Sequence, residues 1–440
     1  MRMYDIIDKK KRGKELSDVE IRYLINGYVD GSIPDYQMSA FHMAVYYMGM
    51  SDRELLEMTD AMAKSGDIVD LSAISGIKVD KHSTGGVGDK TTLVIGPIVA
   101  ACGGRVAKMS GRGLGFTGGT IDKLESIPGY KIDIPEEKYF DIVNNIGVSI
   151  IGQSANIAIA DKKLYALRDV TATVDSIPLI AASIMSKKLA SGSDKIVLDV
   201  TVGSGAFMKS IDDAVILASK MVAIGEGAGK ETVAYITNMD VPLGISAGNS
   251  LEVIEAIETL EGKGDKDFSE ICIQFAATML SLSGNGDIEE CKKKVINVID
   301  NGSALQKFAD MVQAHGGDKE YIYNVEKFDK ALYSEKWIAE KDCYIESMDT
   351  ECCGKTSVIL GAGREVKESS IDYTAGIRFY KKTGDFIKKG EIIAELSASN
   401  KSKLRQAVDY LKKGYKFGDK AVDANKTIFA FVSKKGVKYL

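Results

Sequence analysis

The stretch Lys81-His82-Ser83-Thr84-Gly85-Gly86-Val87-Gly88-Asp89 separates a short β-rich run from an apolar helical pattern. Three glycines within four residues let the backbone turn several N–H groups toward one point, and such a nest at the beginning of a helix binds anions. Lys81 adds a cation, and Ser83 and Thr92 add hydroxyl donors. The stretch therefore predicts an anion-binding loop between a strand and a helix.

A second glycine-rich loop follows the next β-rich run and extends from Ser110 to Thr120. It contains five glycines, and Lys108, Ser110 and Thr120 provide a matching set of polar groups. Because the two loops follow neighbouring strands, we expect them to converge on one tetrahedral anion.

Two well-known phosphate motifs do not account for these loops. A Walker A loop requires glycine directly before its lysine, whereas Asp89 precedes Lys90 here. Gly113, Gly115 and Gly118 meet the GxGxxG count, but their long loop lacks the tight strand-to-helix turn of the dinucleotide fingerprint. A pair of loops that binds one tetrahedral anion remains the better interpretation.

The unit of strand, glycine turn and helix occurs four times, with strands expected at 76–80, 105–109, 196–200 and 232–236. Alternation of strands and helices indicates a mostly parallel sheet, which binds ligands beyond the carboxyl ends of its strands. Helical apolar spacing covers residues 1–70 and 160–193, and β-rich patterns, including a strand at 357–360, follow residue 340.

The predicted fold is therefore α/β, in three parts. A discontinuous all-α domain comprises residues 1–70 plus 160–193, and a mostly parallel α/β phosphate-binding domain comprises 71–159 plus 194–335. A C-terminal β-rich α+β domain comprises 340–440.

Composition excludes several classes of protein. The net charge of −5 lacks the basic excess of a nucleic-acid binder. Apolar runs such as Leu93 to Cys102 are short and are broken by Pro97, so no membrane span is expected. The amino-terminal residues show no secretion signal, and six cysteines show no disulfide or zinc framework, so we expect reduced thiols and a cytoplasmic protein.

The two loops resemble the thymidine and pyrimidine-nucleoside phosphorylase family. The resemblance rests on the two loops already described and on further motifs along the chain, namely Thr117 to Glu125, Leu164 to Pro178, Val202 to Met208, Gly361 to Arg364 and Lys381 to Glu391. It covers nearly the whole chain and implies a homodimer with a cleft between a helical and an α/β domain.

The resemblance also implies roles for individual residues. Phosphate would bind to Lys81, Ser83, Thr92, Lys108, Ser110 and Thr120. The pyrimidine nucleoside would bind to Tyr165, Arg168, Ser183 and Lys187. Catalysis would depend on His82 as proton donor to the departing base and on Arg168 and Lys187 as stabilisers of its negative charge. Further apolar walls would be Leu114, Ile180, Ile184 and Phe207.

The chain departs from the family pattern at three positions. Some members bind a monovalent cation such as K⁺ at positions that match Gly88, Leu243, Ser246 and Glu255, together with a hydroxyl residue at position 90. Here position 90 is lysine, and we expect its ammonium to pair with Glu255 and replace the ion. Phe116 and Thr201 stand where relatives often have His and Lys.

The predicted function is reversible phosphorolysis of uridine, deoxyuridine or thymidine to free base and pentose 1-phosphate, without an organic cofactor. A thymidine phosphorylase restricted to 2′-deoxynucleosides is an alternative that the sequence leaves open. An anthranilate-type phosphoribosyltransferase shares the glycine-rich architecture, but it would need an acidic pair for magnesium and pyrophosphate, which these loops do not show. A nucleoside-binding protein without activity would not require Lys81, His82, Arg168, Ser183 and Lys187 together.

Overall fold

The amino-terminal residues form part of a helical bundle. The structure is a computed structural model that describes residues 1–113, 115–116, 118–364, 369–423 and 426–440. The first helices are α1 (Met3–Lys11), α2 (Asp18–Asp30), α3 (Asp35–Met48) and α4 (Asp52–Ala63). Ser17 and Ser51 form capping boxes with Glu20 and Glu54 and so stabilise the starts of α2 and α4.

Two later helices complete this bundle, namely α8 (Ile159–Asp169) and α9 (Ile177–Ala190). Leu164 and Met185 on these helices share one buried apolar cluster with Phe41 and Met58. The predicted packing of the helical insertion against the amino-terminal helices is thus observed. Met43 and Met48 are exposed at the surface of α3.

The central sheet has the order β1-β4-β5-β13-β14 among the described residues. Its parallel strands are β1 (Val79–Ser83), β4 (Lys195–Val202) and β5 (Glu231–Asn238). Two antiparallel strands, β13 (Ile428–Ser433) and β14 (Gly436–Tyr439), extend one edge. A separate parallel pair joins β2 (Val106–Ser110) to β3 (Val148–Gly152), and β2 meets β1 at a bridge between Lys78 and Arg105.

Helices cover both faces of the sheet, as the nearly continuous apolar run in β4 requires. Ile196 and Leu198 face the cluster that contains the bundle, whereas Val197 faces a second cluster. The helices of the α/β part are α5 (Thr91–Ala101), α6 (Thr120–Leu124), α7 (Glu136–Ile146), α10 (Ile211–Gly227), α11 (Asn249–Leu260), α12 (Lys266–Leu282), α13 (Ile288–Asp300), α14 (Ser303–Ala314) and α15 (Glu320–Tyr323).

The C-terminal part is β-rich with two helices in the region that the structure describes. Its elements are β7 (Tyr333–Ile338), β8 (Cys343–Met348), α16 (Thr350–Leu360), β9 (Gly376–Phe379), β10 (Phe386–Ile387), β11 (Ile392–Ala398), α17 (Lys401–Lys413) and β12 (Tyr415–Gly418). The strands form antiparallel sheets of order β10-β8-β12 and β6-β9-β11-β7, where β6 (Ser246–Gly248) belongs to the α/β part.

Two expectations for this part need correction. The predicted strand at 357–360 is wrong, because these residues end helix α16, where Asp349 caps the amino end and Cys353, Ser357 and Leu360 lie on one buried face. Residues 428–439, assigned from the sequence to the C-terminal domain of 340–440, extend the central sheet, where β13 pairs with β5 and β14 pairs with β13. The alternating apolar residues of β13 complete the sheet's core and so favour this position.

Among the described residues, no helix has both the length and the apolar character needed to cross a bilayer.

Candidate active site

A cavity of about 920 Å³ lies where the strand-end loops face helices α8 and α9. Every residue predicted to bind phosphate or nucleoside or to take part in catalysis lines this cavity, namely Lys81, His82, Ser83, Thr92, Lys108, Ser110, Thr120, Tyr165, Arg168, Ser183 and Lys187. The apolar residues Ile180, Ile184 and Phe207 also line it, whereas Leu114 lies outside the described residues. The fold thus brings the two predicted sets of residues to opposite sides of one space.

Lys81 lies at the base of the first loop, and its ammonium has partners within the protein. The Nζ atom is 2.9 Å from Asp199 Oδ2 and 3.6 Å from Asp89 Oδ1, and it donates a hydrogen bond of 2.6 Å to Thr91 Oγ1. Burial opposes the charged form, but the two carboxylates raise the pKa of Lys81 above its ordinary value. The lysine therefore remains charged at the edge of the cavity.

The first loop needs its glycines for close approach. Gly88 has φ of 78°, in the left-handed region, and a Cβ there would lie 2.5 Å from the carbonyl oxygen of Leu243. Helix α5 then begins at Thr91, so Thr92 stands in its first turn with its side chain at the cavity. Thr201 holds the loop from below through a hydrogen bond of 2.6 Å to the carbonyl oxygen of Gly85.

Lys108 supplies the second cation and lies behind the second loop. Its Nζ donates to Asp80 Oδ1 at 2.9 Å and to the carbonyl oxygen of Lys81 at 2.5 Å. Burial lowers the pKa of Lys108 to about 8, although Asp80 acts in the opposite direction. The carbonyl contact joins the ammonium of Lys108 to the backbone of β1 at Lys81.

The second loop is also fixed at its outer side. Arg112 pairs with Asp122 at 2.8 Å and with Glu125 at 2.5 Å, and Arg364 of the C-terminal part pairs with Asp122 at 3.0 Å. Phe116 lies at the cavity and packs close to Gly354 of α16, where a Cβ would meet its ring at 2.8 Å. The C-terminal part therefore supports the loop that follows β2.

His82 is half-buried, and its side chain lines the cavity beside the two lysines. Burial lowers the pKa of His82 well below its ordinary value, and the ammonium groups of Lys188 and Lys108 lower it further. The imidazole is therefore neutral at neutral pH in the ligand-free protein.

Arg168 is buried and holds the segment that precedes helix α9. Its guanidinium donates to the carbonyl oxygens of Thr173 at 3.1 Å, Leu179 at 3.0 Å and Val174 at 2.5 Å. Tyr165 lies one helical turn earlier on α8, with its ring centre 5.8 Å from the guanidinium carbon. Arg168 therefore has a structural role that the sequence did not reveal, in addition to its place at the cavity.

Ser183 and Lys187 project from one face of α9, as their spacing of four residues predicts. Lys187 Nζ lies 3.3 Å from Ser183 Oγ and 2.5 Å from Asp161 Oδ2. The next residue, Lys188, is buried and directed elsewhere, because its Nζ lies 2.6 Å from Asp80 Oδ2. These adjacent lysines therefore serve different parts of the site.

The predicted cation position holds the ammonium of Lys90. Its Nζ lies 2.8 Å from Glu255 Oε2, 2.7 Å from the carbonyl oxygen of Leu243 and 3.4 Å from that of Ser246. The ring centre of Phe268 is 4.8 Å away, and the Lys90 side chain is fully buried. The residues present therefore surround a built-in cation and do not fit an additional K⁺ at the same place.

Four charged residues that the sequence analysis did not single out support the site: Asp80, Asp161, Lys188 and Asp199. Asp199 stands inside the apolar strand β4, where a carboxylate requires a buried partner. A carboxylate inside an apolar run can be recognised in the sequence and indicates a buried charged partner. The identity of each partner depends on strand pairing and could not be read from the chain.

Comparison with known proteins identifies the class. The model of the glycosyl transferase family, a/b domain, matches residues 75–305, and that of its helical bundle domain matches residues 4–66. The model of the pyrimidine nucleoside phosphorylase C-terminal domain matches residues 344–418.

Relatives that align with nearly the whole chain show which members of this family the protein resembles. The chain is 51% identical to the pyrimidine-nucleoside phosphorylase of Geobacillus stearothermophilus, over 94% of each chain. It is also 51% identical to the enzyme of the same name from Bacillus subtilis (strain 168), over 91% of this chain and 93% of the relative. The protein belongs to the pyrimidine-nucleoside phosphorylases of the glycosyl transferase family.

A solved structure supports the fold alone. Anthranilate phosphoribosyltransferase from Thermus thermophilus superposes with a TM-score of 0.58 at 16% identity, covering 70% of this chain and 98% of its own.

Proposed function

We propose that the protein catalyses phosphorolysis of pyrimidine nucleosides to free base and pentose 1-phosphate. The observation that carries this conclusion is the shared cavity in which Lys81 and Lys108, on strands β1 and β2 next to the two glycine-rich loops, face Ser183 and Lys187 on α9. One wall offers cations and a helix amino terminus to an oxyanion. The other offers a hydroxyl and an ammonium to the polar edge of a pyrimidine.

The charges on the two walls fit the reaction. Cleavage of the N-glycosidic bond leaves positive charge on the sugar, which phosphate attacks, and negative charge on the departing base. Lys187 and the guanidinium of Arg168 would stabilise that negative charge, because preorganised donors act strongly in a site that excludes water. Asp161 and Ser183 hold the ammonium of Lys187 in place for this purpose.

His82 would donate the proton to the base. It is neutral before substrates bind, and a phosphate dianion beside it would raise its pKa and favour the charged form. Protonation would then accompany phosphate binding. Such general acid assistance typically contributes about 10²–10⁴-fold to the rate.

The direct test is base release from uridine, deoxyuridine and thymidine, each with and without phosphate. Release that requires phosphate and yields one pentose 1-phosphate per base supports the proposal, and the three rates establish the sugar preference. Base release without phosphate would instead indicate a hydrolase. For variants of the lysines that line the cavity, the control is Lys195→Ala. Lys195 belongs to the same sheet, pairs with Glu231 and does not line the cavity.

Closure of the cavity would bring the bound reactants together. We propose that the motion occurs in segments 153–158 and 191–194, which connect α8 and α9 to strands β3 and β4. Ala158 in the first segment has φ of 49°, an uncommon conformation for a non-glycine residue. Identical separation of the two walls in ligand-free and doubly liganded crystals would rule out the motion.

We propose that Lys90 replaces the monovalent cation that some members of the family bind. Support comes from its two carbonyl contacts and its pairing with Glu255. Activity should then be the same in buffers of potassium and of tetramethylammonium, and Lys90→Thr should become dependent on potassium. Activity of the unaltered protein that requires potassium would contradict this proposal.

We further propose a homodimer formed through the helical bundle. Tyr36, Met43 and Tyr47 lie on one face of α3 and are exposed, and contiguous exposed apolar surface marks protein contacts. Light scattering should give twice the mass of one chain, and Met43→Glu should halve it. If Met43→Glu leaves the mass of a dimer unchanged, this surface is not the interface.

The domain division of 1–70 plus 160–193, 71–159 plus 194–335 and a C-terminal part from 340 is likewise proposed. Support for the C-terminal part comes from its separate apolar cluster, whereas the bundle shares its cluster with one face of the central sheet, to which residues 428–439 are joined. A cytoplasmic location is proposed from the six free cysteines, which fit a reducing compartment.

A further inference from the structure

Asp80, Lys108 and Lys188 form a buried cluster directly behind the cavity. One oxygen of Asp80 lies 2.9 Å from Lys108 Nζ, and the other lies 2.6 Å from Lys188 Nζ. All three side chains are at most 5% exposed. Two ammonium groups therefore share one carboxylate in a medium that screens charge poorly.

The members of the cluster come from different walls of the site. Asp80 directly precedes Lys81 and His82 on β1, and Lys108 lies at the second phosphate loop. Lys188 follows Lys187 on α9, the helix of the nucleoside wall. Through Asp80, the cluster therefore connects a lysine on the helix of the nucleoside wall with Lys108 of the phosphate wall.

We propose that Asp80 and Lys188 are positioning residues, through which the nucleoside-side helix sets the charge available at Lys108 and hence the strength of phosphate binding. This inference rests on the proposed function. Asp80 holds Lys108 at the cavity and stabilises its ammonium, whereas Lys188 competes for the same carboxylate. The two residues therefore act on Lys108 in opposite directions.

The pKa values have the direction that this arrangement requires. Burial lowers the pKa of Lys108 to about 8, Asp80 raises it, and Lys188 lowers it. The titratable groups that face Lys108 or its carboxylate are Asp80, Lys81 and His82 on β1, Lys188 on α9 and Tyr139 on α7. Phosphate binding should therefore weaken as pH rises above about 8, when the ammonium of Lys108 loses its proton.

The test measures the affinity for inorganic phosphate by calorimetry, and the KM for phosphate, from about pH 6 to about pH 10, a range that brackets the titration of Lys108. Removal of a nearby opposite charge shifts a pKa by about 1–3 units. Asp80→Asn should therefore move the alkaline loss of affinity downward by about one unit or more, so that binding at pH 8 weakens about fivefold or more. Lys188→Gln should move it upward by about one unit, and Lys188→Arg should restore the original profile.

The control is Lys10→Gln, which breaks a buried pair of similar exposure with Glu54, 2.8 Å apart, away from the cavity. It should lower stability without moving the pH profile of phosphate binding.

If Asp80→Asn does not fold, the two Lys188 variants still test whether the cluster sets the charge of Lys108. Shifts of the same sign, or no shift in Lys188→Gln, would overturn the inference even where phosphate-dependent base release is normal. Absence of that release in the unaltered protein would instead refute the proposed function.

Discussion

Substitution of Arg168 should affect stability as strongly as catalysis. Its guanidinium holds three buried or partly buried carbonyl oxygens, those of Thr173, Val174 and Leu179. A hydrogen bond to a charged group contributes about 1.5–3 kcal/mol, and three bonds from one side chain are not additive. We expect Arg168→Ala to lower the free energy of unfolding by about 3–6 kcal/mol, a large part of the stability of an ordinary domain.

Urea unfolding and nucleoside kinetics separate the two roles of Arg168. Arg168→Lys retains the charge but lacks the planar fork, so it should recover part of the stability while the KM for nucleoside stays high. Arg22→Ala is the matched control, because Arg22 pairs with Glu57 at the surface of the bundle. An unfolding midpoint for Arg168→Ala equal to that of Arg22→Ala would refute the reasoning.

Three further predictions concern other positions. Lys81→Ala should raise the KM for phosphate about 10–100-fold, in steady-state assays, because a charge-assisted contact is lost; an unchanged KM would remove Lys81 from the phosphate site. Gly88→Ala should lower the melting temperature, because its Cβ would meet Leu243; equal melting temperatures would contradict that contact. His42 is fully buried with a pKa lowered to about 3 by burial, so protonation of the unfolded state should cost stability as pH falls from about 6.5 toward 3. His42→Leu should reduce this acid sensitivity in melts at about pH 7.5 and about pH 5.5, on either side of the ordinary histidine pKa, and equal sensitivity would contradict it.

Local sequence signals predicted the elements that hold the site. Glycines after β-rich runs placed the two loops, and helical apolar spacing over residues 1–70 and 160–193 indicated the helices of the bundle. The prediction at 357–360 was wrong because local β propensity is weaker than a capped helix whose buried face packs against the C-terminal sheets. Strand β13 was placed in the wrong domain because an alternating pattern predicts a strand but not its partner.

Apart from the expected pair of Lys90 and Glu255, charge pairing was the part of the site that the sequence could not supply. Lys187 and Lys188 are neighbours in the chain and look like one solvated surface, yet the helix directs one to Asp161 and the other to Asp80. Their separation depends on α9 lying between the bundle and the sheet, which only tertiary packing determines.

The pairing also explains how a site rich in cations can exist in the ligand-free protein. Lys81, Lys108 and Lys188 would repel one another in a poorly screened interior, and Asp80 and Asp199 offset that repulsion from the opposite side of the lysines. The carboxylates keep the lysines charged and ordered, while the cavity side of Lys81 and Lys108 remains available to a ligand. Under the proposed function, a phosphate dianion would meet ammonium groups already held in place, so its binding would require little rearrangement of the loops beside them.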